Sequence, residues 1–495
     1  MARCRAVAVL VSLVFVATGA AQENSTTAPS RFEASACPFK ADESLLAQVR
    51  CGYLIVPENR ARPEGRQLRL AVAVVKSPSA TPRPDPIVLL SGGPGDSFVQ
   101  STPRHANLWP GLRADRDLVI WDQRGTGYSE PAFCPDLRAR WQEIAALNLP
   151  LSGRQARRRE ALAACRESML RQGVDLAQYN TVVSAHDLED LRRALGVAQW
   201  NLLAVSYGAR LGFEAMRLTP RSIRSATMSS PLPPNPPMDV RGAFVDVIGR
   251  LSRACAAQPD CAAAYPETEQ NFWSAIEELD QKPLVHRPPD GSQEVVINGV
   301  RLVRVVQEAA RARRTLALVP MIIGEIRRRN EAVAAALFRQ MTDGGATRVN
   351  RVSLGLNMTV GCHDFVGDSR AAPQSAAPAV LDIAEFERDE SVCEALHTFR
   401  AGPQTPVVSD IPTLMFTGEF DVPTHRSYGP AAAQSLRNGQ VVEVAGAGHG
   451  EPLGDDCGRS IARDFITNPL ARVDTACLSR IAPLRFVTDV KAIAR

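Results

Sequence analysis

No internal run of the 495 residues reaches the roughly 18 apolar residues needed to span a bilayer, so the sequence carries no signal for stable membrane insertion. An excess of one charge is missing as well. The 57 basic residues face 53 acidic ones, and a balance of +4 is too slight for a nucleic-acid footprint. Lysine is scarce, standing only at Lys40, Lys76, Lys282 and Lys491, a bias to which we attach no function. No CxxC occurs and no His/Cys group has zinc-ligand spacing, so no metal is expected, and nothing calls for an organic cofactor. Neither a repeat nor a low-complexity tract is present, and the 33 Gly and 36 Pro are scattered, which excludes collagen-like, coiled-coil and wholly disordered readings. What is present is a globular composition, 45% hydrophobic and 22% charged. At roughly 100–200 residues per domain, the length gives two to four domains, or one large domain with an insertion.

The chain begins as a different kind of sequence. Arg3 and Arg5 precede the apolar run Ala6 to Ala17 and the small residues Thr18-Gly19-Ala20-Ala21. This is the pattern of a signal peptide cut after Ala20 or Ala21, and the run is short for a membrane anchor. An exported protein, periplasmic or extracellular, is therefore expected. Cysteine usage agrees. Removing Cys4 from the eleven leaves ten, an even number that suits an oxidising compartment. Nearest-neighbour pairing would join Cys37 to Cys51, Cys134 to Cys165, Cys255 to Cys261, Cys362 to Cys393 and Cys457 to Cys477, each clipping one local loop.

Residues 22–36 are polar and small and read as a frayed, flexible segment. Gly52 to Val56 and Leu68 to Val75 read as an antiparallel strand pair. Short apolar runs follow at Ile87 to Leu90, Leu118 to Trp121 and Asn201 to Val205, each suited to a strand buried on both faces, with a weaker strand at Ser225 to Ser229. Helical spacing covers 153–172, 184–195 and Tyr207 to Leu218. Strand signals then thin for about 170 residues, where 240–280, 300–340 and 380–400 look helical, and return at Thr413 to Thr417 and Gln440 to Ala445. Alternating strands and helices argue for an α/β fold with a mostly parallel sheet, and the helical block for an inserted cap. The expected division is a leader at 1–21, a first core part at 37–231, a cap at 232–409 and a second core part at 410–495.

The strongest chemical signal is Ala204-Val205-Ser206-Tyr207-Gly208, between a predicted strand and a predicted helix. A nucleophile on so sharp a turn needs small residues two positions either side, which Ala204 and Gly208 supply. Ser91-Gly92-Gly93-Pro94-Gly95 follows another strand, where a backbone N–H can form half of an oxyanion hole. Gly93 and Tyr207 are the candidate donors. After the last two strands come Gly418-Glu419-Phe420-Asp421 and Gly446-Ala447-Gly448-His449-Gly450. His449 can accept the Ser206 proton while Asp421 fixes the imidazole tautomer. Each piece alone is a common string. Together, in the order Ser, Asp, His, they specify nucleophilic acyl transfer on an α/β-hydrolase fold.

The sequence from about residue 50 to about 480 resembles the proline iminopeptidase and tripeptidyl aminopeptidase (TAP-like) group of α/β-hydrolases, most weakly in the cap. The resemblance rests on Gly92 to Gly95, Asp122-Gln123-Arg124-Gly125-Thr126-Gly127-Tyr128-Ser129, Trp200 to Gly208, Gly418 to Asp421, His449 and the two trailing cysteines. Ser91 departs from the group's usual His, and Asp96 from its usual further Gly. The resemblance implies a secreted serine exopeptidase acting on peptides with a free N-terminus. It also implies an acidic side chain for the substrate's α-ammonium, and Asp364 in Gly361-Cys362-His363-Asp364 is the candidate.

Other residues read more plainly. Glu130 breaks the dinucleotide fingerprint that Gly125-Thr126-Gly127 begins, so that stretch reads as a loop beside the site with Arg124 held by hydrogen bonds. Glu419 reads as loop support, and His363 and His425 as lone solvated or packed imidazoles. The eleven Arg between 301 and 351 read as a solvated helical face, or as an electropositive rim attracting peptide carboxylates. An esterase with the same machinery and a non-catalytic binding protein on this fold are the rival readings. Oligomeric state is left open by the sequence.

Overall fold

Among the described residues nine strands form one sheet, whose central strands are apolar runs that supply a buried side chain to each face in turn. The computed structural model describes residues 30–147, 149, 151–235, 239–289, 294–349, 352–365, 390–397 and 405–489. The expected leader at 1–21 lies outside these residues. The strands are β1 (Arg31–Ala34), β2 (Val49–Pro57), β3 (Gln67–Val75), β4 (Ile87–Leu90), β5 (Leu118–Trp121), β6 (Trp200–Val205), β7 (Ile223–Ser229), β10 (Thr413–Gly418) and β11 (Gly439–Val444). A separate hairpin pairs β8 (Leu284–His286) with β9 (Val295–Ile297). The sheet order is β1-β2-β3-β5-β4-β6-β7-β10-β11. From β5 to β11 every pairing is parallel, and β1, β2 and β3 join antiparallel at one edge.

Period-two alternation decides what each strand packs against. Val88 and Leu90, Val119 and Trp121, and Leu202 and Ala204 face one layer, built on the helices Thr181–Ala194 and Tyr207–Leu218. Ile87 and Leu89, Leu118 and Ile120, and Leu203 face the other, built on Thr102–Leu108 and Asp456–Thr467. Such double-faced burial is what continuous apolar runs signal. Helix starts are marked by side chains that accept a free N–H: Asn180 from Val183 at 3.0 Å, Asp239 from Gly242 at 2.8 Å, Asp455 from Gly458 at 2.8 Å. Each such cap is worth about 1 kcal/mol.

Between β7 and β10 the chain leaves the sheet and forms its own helical core, in which Phe244, Phe272, Leu279, Ile322 and Phe338 are buried together. That core also takes in Phe420 and Val422, the neighbours of Asp421. Three features differ from expectation. Residues Arg31–Ala34 are not frayed: they pair with β2 across Arg31↔Ile55 to Ala34↔Gly52, extended by Ser35 N–H on the Cys51 carbonyl. The polar composition suits an edge strand, which needs only one covered side. The hairpin β8–β9 and the helix Leu354–Phe365 carry too few strand or helix signals in the sequence to stand out. Five disulfides join Cys37–Cys51, Cys134–Cys165, Cys255–Cys261, Cys362–Cys393 and Cys457–Cys477, all nearest neighbours in sequence. Among the described residues no helix is long and apolar enough to cross a membrane.

Candidate active site

Strand β6 runs directly into the helix Tyr207–Leu218, and Ser206 stands at the junction with φ 59° and ψ −123°. A non-glycine residue held there costs on the order of 1–3 kcal/mol. The reason for small flanking residues is visible. A Cβ on Gly208 would lie 2.1 Å from the Leu90 carbonyl oxygen, so the helix starts in direct contact with the β4 backbone. Ala204 is fully buried between Leu90 of β4 and Met228 of β7.

Ser206 Oγ lies 2.9 Å from His449 Nε2. His449 Nδ1 lies 2.9 Å and 3.1 Å from the two carboxylate oxygens of Asp421. With Nδ1–H donating to the carboxylate, Nε2 is left as the acceptor for the hydroxyl proton. Asp421 and His449 reach each other because their loops cross at Gly418: a Cβ there would meet the Gly448 carbonyl at 2.6 Å and that of Ala447 at 2.8 Å. Thr424 fixes the acid from the other side, donating its N–H to Oδ1 and its hydroxyl to Oδ2, both at 2.9 Å. Sequence reasoning missed Thr424, although a hydroxyl residue three positions after an aspartate is a recurrent turn signal. Complete burial pushes the Asp421 carboxyl upward. The His449 charge and the hydrogen bonds from His449, Ser230 and Thr424 outweigh this, so its pKa lies below the ordinary value.

The remaining loop contacts are structural. Glu419 accepts the Gly446 N–H at 2.7 Å, the loop support expected of it. Glu451 accepts the N–H of Gly448 at 2.8 Å and that of Arg313 at 2.9 Å, tying the histidine loop to the insertion. Arg124 is held as expected, gripping Asp187 with two hydrogen bonds at 2.7 and 2.8 Å and donating to the carbonyls of Glu58 and Gln178.

The turn after β4 approaches the elbow through Gly92. A Cβ on Gly92 would stand 3.2 Å from Ser206 Cβ and 3.7 Å from Oγ. One on Gly93 would meet only its own turn, and Gly93 is exposed with φ 111°. Gly92 therefore backs onto the hydroxyl, and Gly93, the expected donor, is the next residue of the same turn. Tyr207 follows Ser206 at the helix start, its ring fully buried and its hydroxyl 2.7 Å from Thr181 Oγ1.

Asp364 is not in the cleft. It is 2% exposed, it accepts a hydrogen bond from Thr181 Oγ1, and its backbone carbonyl accepts one from Arg210. The cleft lining does not include it, so the structure does not bring it to the hydroxyl as expected for a substrate-ammonium partner. His425 also departs from expectation, since its Nε2 lies 3.1 Å from Asp246 and its Nδ1 2.8 Å from Ser427 Oγ. His363 is buried, with Nε2 3.3 Å from the Leu176 carbonyl. The cleft itself has a volume of about 770 Å³ and contains Gly92, Ser206 and His449. Its walls include Trp109 from the core side and Arg311, Arg314 and Met341 from the insertion. Among the described residues no group of three or more His, Cys, Asp or Glu is placed to hold a metal ion.

Two segments match known family models: residues 85–253 the α/β hydrolase fold, and residues 384–477 the TAP-like protein. The tripeptidyl aminopeptidase of Streptomyces lividans is 32% identical over 201 residues, 39% of this chain and 37% of that protein. Serine protease Hip1 of Mycobacterium tuberculosis is 27% identical over 254 residues, 48% of each chain. The match thus spans less than half the length of these relatives. The crystal structure of proline iminopeptidase from Mycobacterium smegmatis is 16% identical, with 84% of this chain and 98% of that chain covered and a TM-score of 0.35. The mostly parallel sheet, the elbow at Ser206 and both matching segments in order give the chain the α/β-hydrolase fold, with its TAP-like match confined to residues 384–477.

Proposed function

We propose that the protein is an exported serine exopeptidase that hydrolyses peptide bonds near free N-termini. The observation that carries this is the unbroken hydrogen-bond line Ser206–His449–Asp421 opening into the cleft beside Gly92. Ser206 Oγ attacks the peptide carbonyl carbon while its proton passes to His449 Nε2, which shares its other proton with Asp421. Negative charge gathers on the carbonyl oxygen, and the N–H groups of Gly93 and Tyr207 are its proposed donors. Collapse breaks the C–N bond, and the leaving amine takes the proton from His449. Water, deprotonated by His449, then cleaves the acyl-enzyme and restores Ser206.

The peptide substrate and the free-amine requirement rest on the likeness to a tripeptidyl aminopeptidase and a serine protease. The acids on the cleft wall are Asp96, Glu308 and Glu451, and Glu451 is occupied by two backbone N–H groups. These three are the candidate partners of the substrate ammonium, Glu308 being paired with Arg311 as well. Export is supported by the five disulfides and by the leader-like start of the sequence. Hydrolysis of a chromogenic panel tests the reading: free-amine aminoacyl and tripeptidyl anilides, their N-blocked forms and a simple ester. Turnover of the free-amine peptides is expected. Turnover confined to the ester would replace the peptidase with an esterase, and none at all would leave a binding protein.

A further inference from the structure

The cleft that holds Ser206 and His449 is also lined by three arginines, Arg104, Arg311 and Arg314. Their neighbours in the structure treat them differently. Arg311 is paired with Glu308 at 3.0 Å. Arg313, two residues on, is not part of the cleft lining and donates to the carbonyls of Ala445 and Ala482. Arg104 and Arg314 are exposed and have no acidic or carbonyl partner among the described residues. The two come from separate parts of the fold. Arg104 lies on the core helix Thr102–Leu108, and Arg314 on the insertion turn Arg313–Leu316. A merely solvated arginine face would sit on a convex surface, whereas these two arginines line the same concave space as the reactive hydroxyl. Like charges sharing a cleft repel each other, and an anion between them relieves that repulsion while matching the planar guanidinium fork.

We infer that Arg104 and Arg314 form a subsite for a carboxylate of the substrate, so that the preferred substrates are peptides bearing a negative charge close to the scissile bond. The inference rests on the peptidase reading above and names its substrate class. The carboxylate has two sources, an Asp or Glu side chain or the free C-terminus of a short peptide. The same subsite serves both, because the guanidinium pair reads the charge and not the chain that carries it.

Four short free-amine peptides of otherwise identical sequence test this with the full-length protein: a free C-terminal acid with neutral side chains, its C-terminal amide, the amide with one Asp, and the amide with the matching Asn. A carboxylate is expected to raise kcat/KM about 5- to 30-fold over its neutral counterpart, the lower end reflecting solvent screening of exposed guanidiniums. A preference for the acid over the amide assigns the subsite to the chain end, and a preference for Asp over Asn assigns it to the side chain. Equal rates on all four overturn the inference. In the double variant Arg104→Gln, Arg314→Gln the preference should collapse toward one, and a surviving preference overturns the assignment to these residues. Arg314→Glu should turn the preference toward a Lys-bearing peptide, an outcome that general damage to the fold cannot imitate. If only the ester is turned over, the peptidase reading fails and the same peptides are measured as inhibitors of ester hydrolysis. Tighter inhibition by the carboxylate peptides then supports the subsite, and equal inhibition overturns it.

Discussion

Ser206 is the residue at which conformation and chemistry conflict most. Its φ of 59° is costly for any side chain, and the fold tolerates this because β6, β4 and the following helix fix the backbone on both sides. Ser206→Ala keeps that strain and removes only the hydroxyl, so a folded protein without turnover is expected. Ser206→Gly removes the strain as well. Relief of on the order of 1–3 kcal/mol exceeds the ~0.5–1 kcal/mol that glycine's extra freedom in the unfolded chain costs. The glycine variant should therefore melt above the alanine variant, as thermal unfolding would show. Retained peptidase activity in purified Ser206→Ala would end the assignment of Ser206 as nucleophile. At this scale the sequence was legible where chemistry demands a residue type at a fixed offset, as for Ser206, Asp421 and His449. It was not legible where a turn closes on the site, as at Thr424, whose N–H and hydroxyl reach Asp421 only because the backbone folds back on the carboxylate.

At the scale of elements, the site exists because strands and helices touch without side chains between them. Gly208 is the clearest case, with space for a hydrogen and nothing larger against the Leu90 carbonyl. Gly208→Ala raises helix propensity by up to ~1 kcal/mol, yet it drives a methyl group into the backbone of β4. Because a backbone atom cannot swing aside as a long side chain can, we expect a net loss of about 2–4 kcal/mol, with the elbow displaced and turnover reduced. Denaturant unfolding and kinetics on one sample check both. A variant as stable and active as the parent would mean that β4 and the helix are not in contact there. The apolar runs of the central strands were readable because burial on both faces leaves one signature, an uninterrupted Val/Ile/Leu segment. Arg31–Ala34 carries no such signature, since its place at the edge is set by pairing with β2 and not by its own hydrophobicity.

For the whole molecule, the question is how the insertion is coupled to the elbow. One connection is a buried polar line: Tyr207 hydroxyl to Thr181 Oγ1, and Thr181 Oγ1 to Asp364, which lies on the insertion helix Leu354–Phe365. Burial raises the Asp364 pKa against the opposing effects of Arg210, Thr181 and His363, and Asp364 in turn helps to raise that of Glu214. The sign follows from proton linkage. A carboxyl whose folded pKa is raised binds its proton more tightly in the folded state than in the unfolded chain. Its contribution to stability is therefore present below the ordinary carboxylate range and is lost as pH rises through the folded value. Asp364→Asn cannot ionise, and it relieves Glu214 as well. The variant should lose less stability than the parent as pH rises from about 4 upward, read as the difference between two denaturation series across pH. Its kinetic signature should follow from position. Asp364 touches Tyr207 through Thr181, and in the proposed mechanism the Tyr207 N–H serves every carbonyl substrate alike, so any fall in kcat should be equal for a free-amine peptide and an N-blocked ester. A loss confined to free-amine peptides would return Asp364 to the substrate's amine, and would require the cleft to open down to a residue that is now 2% exposed.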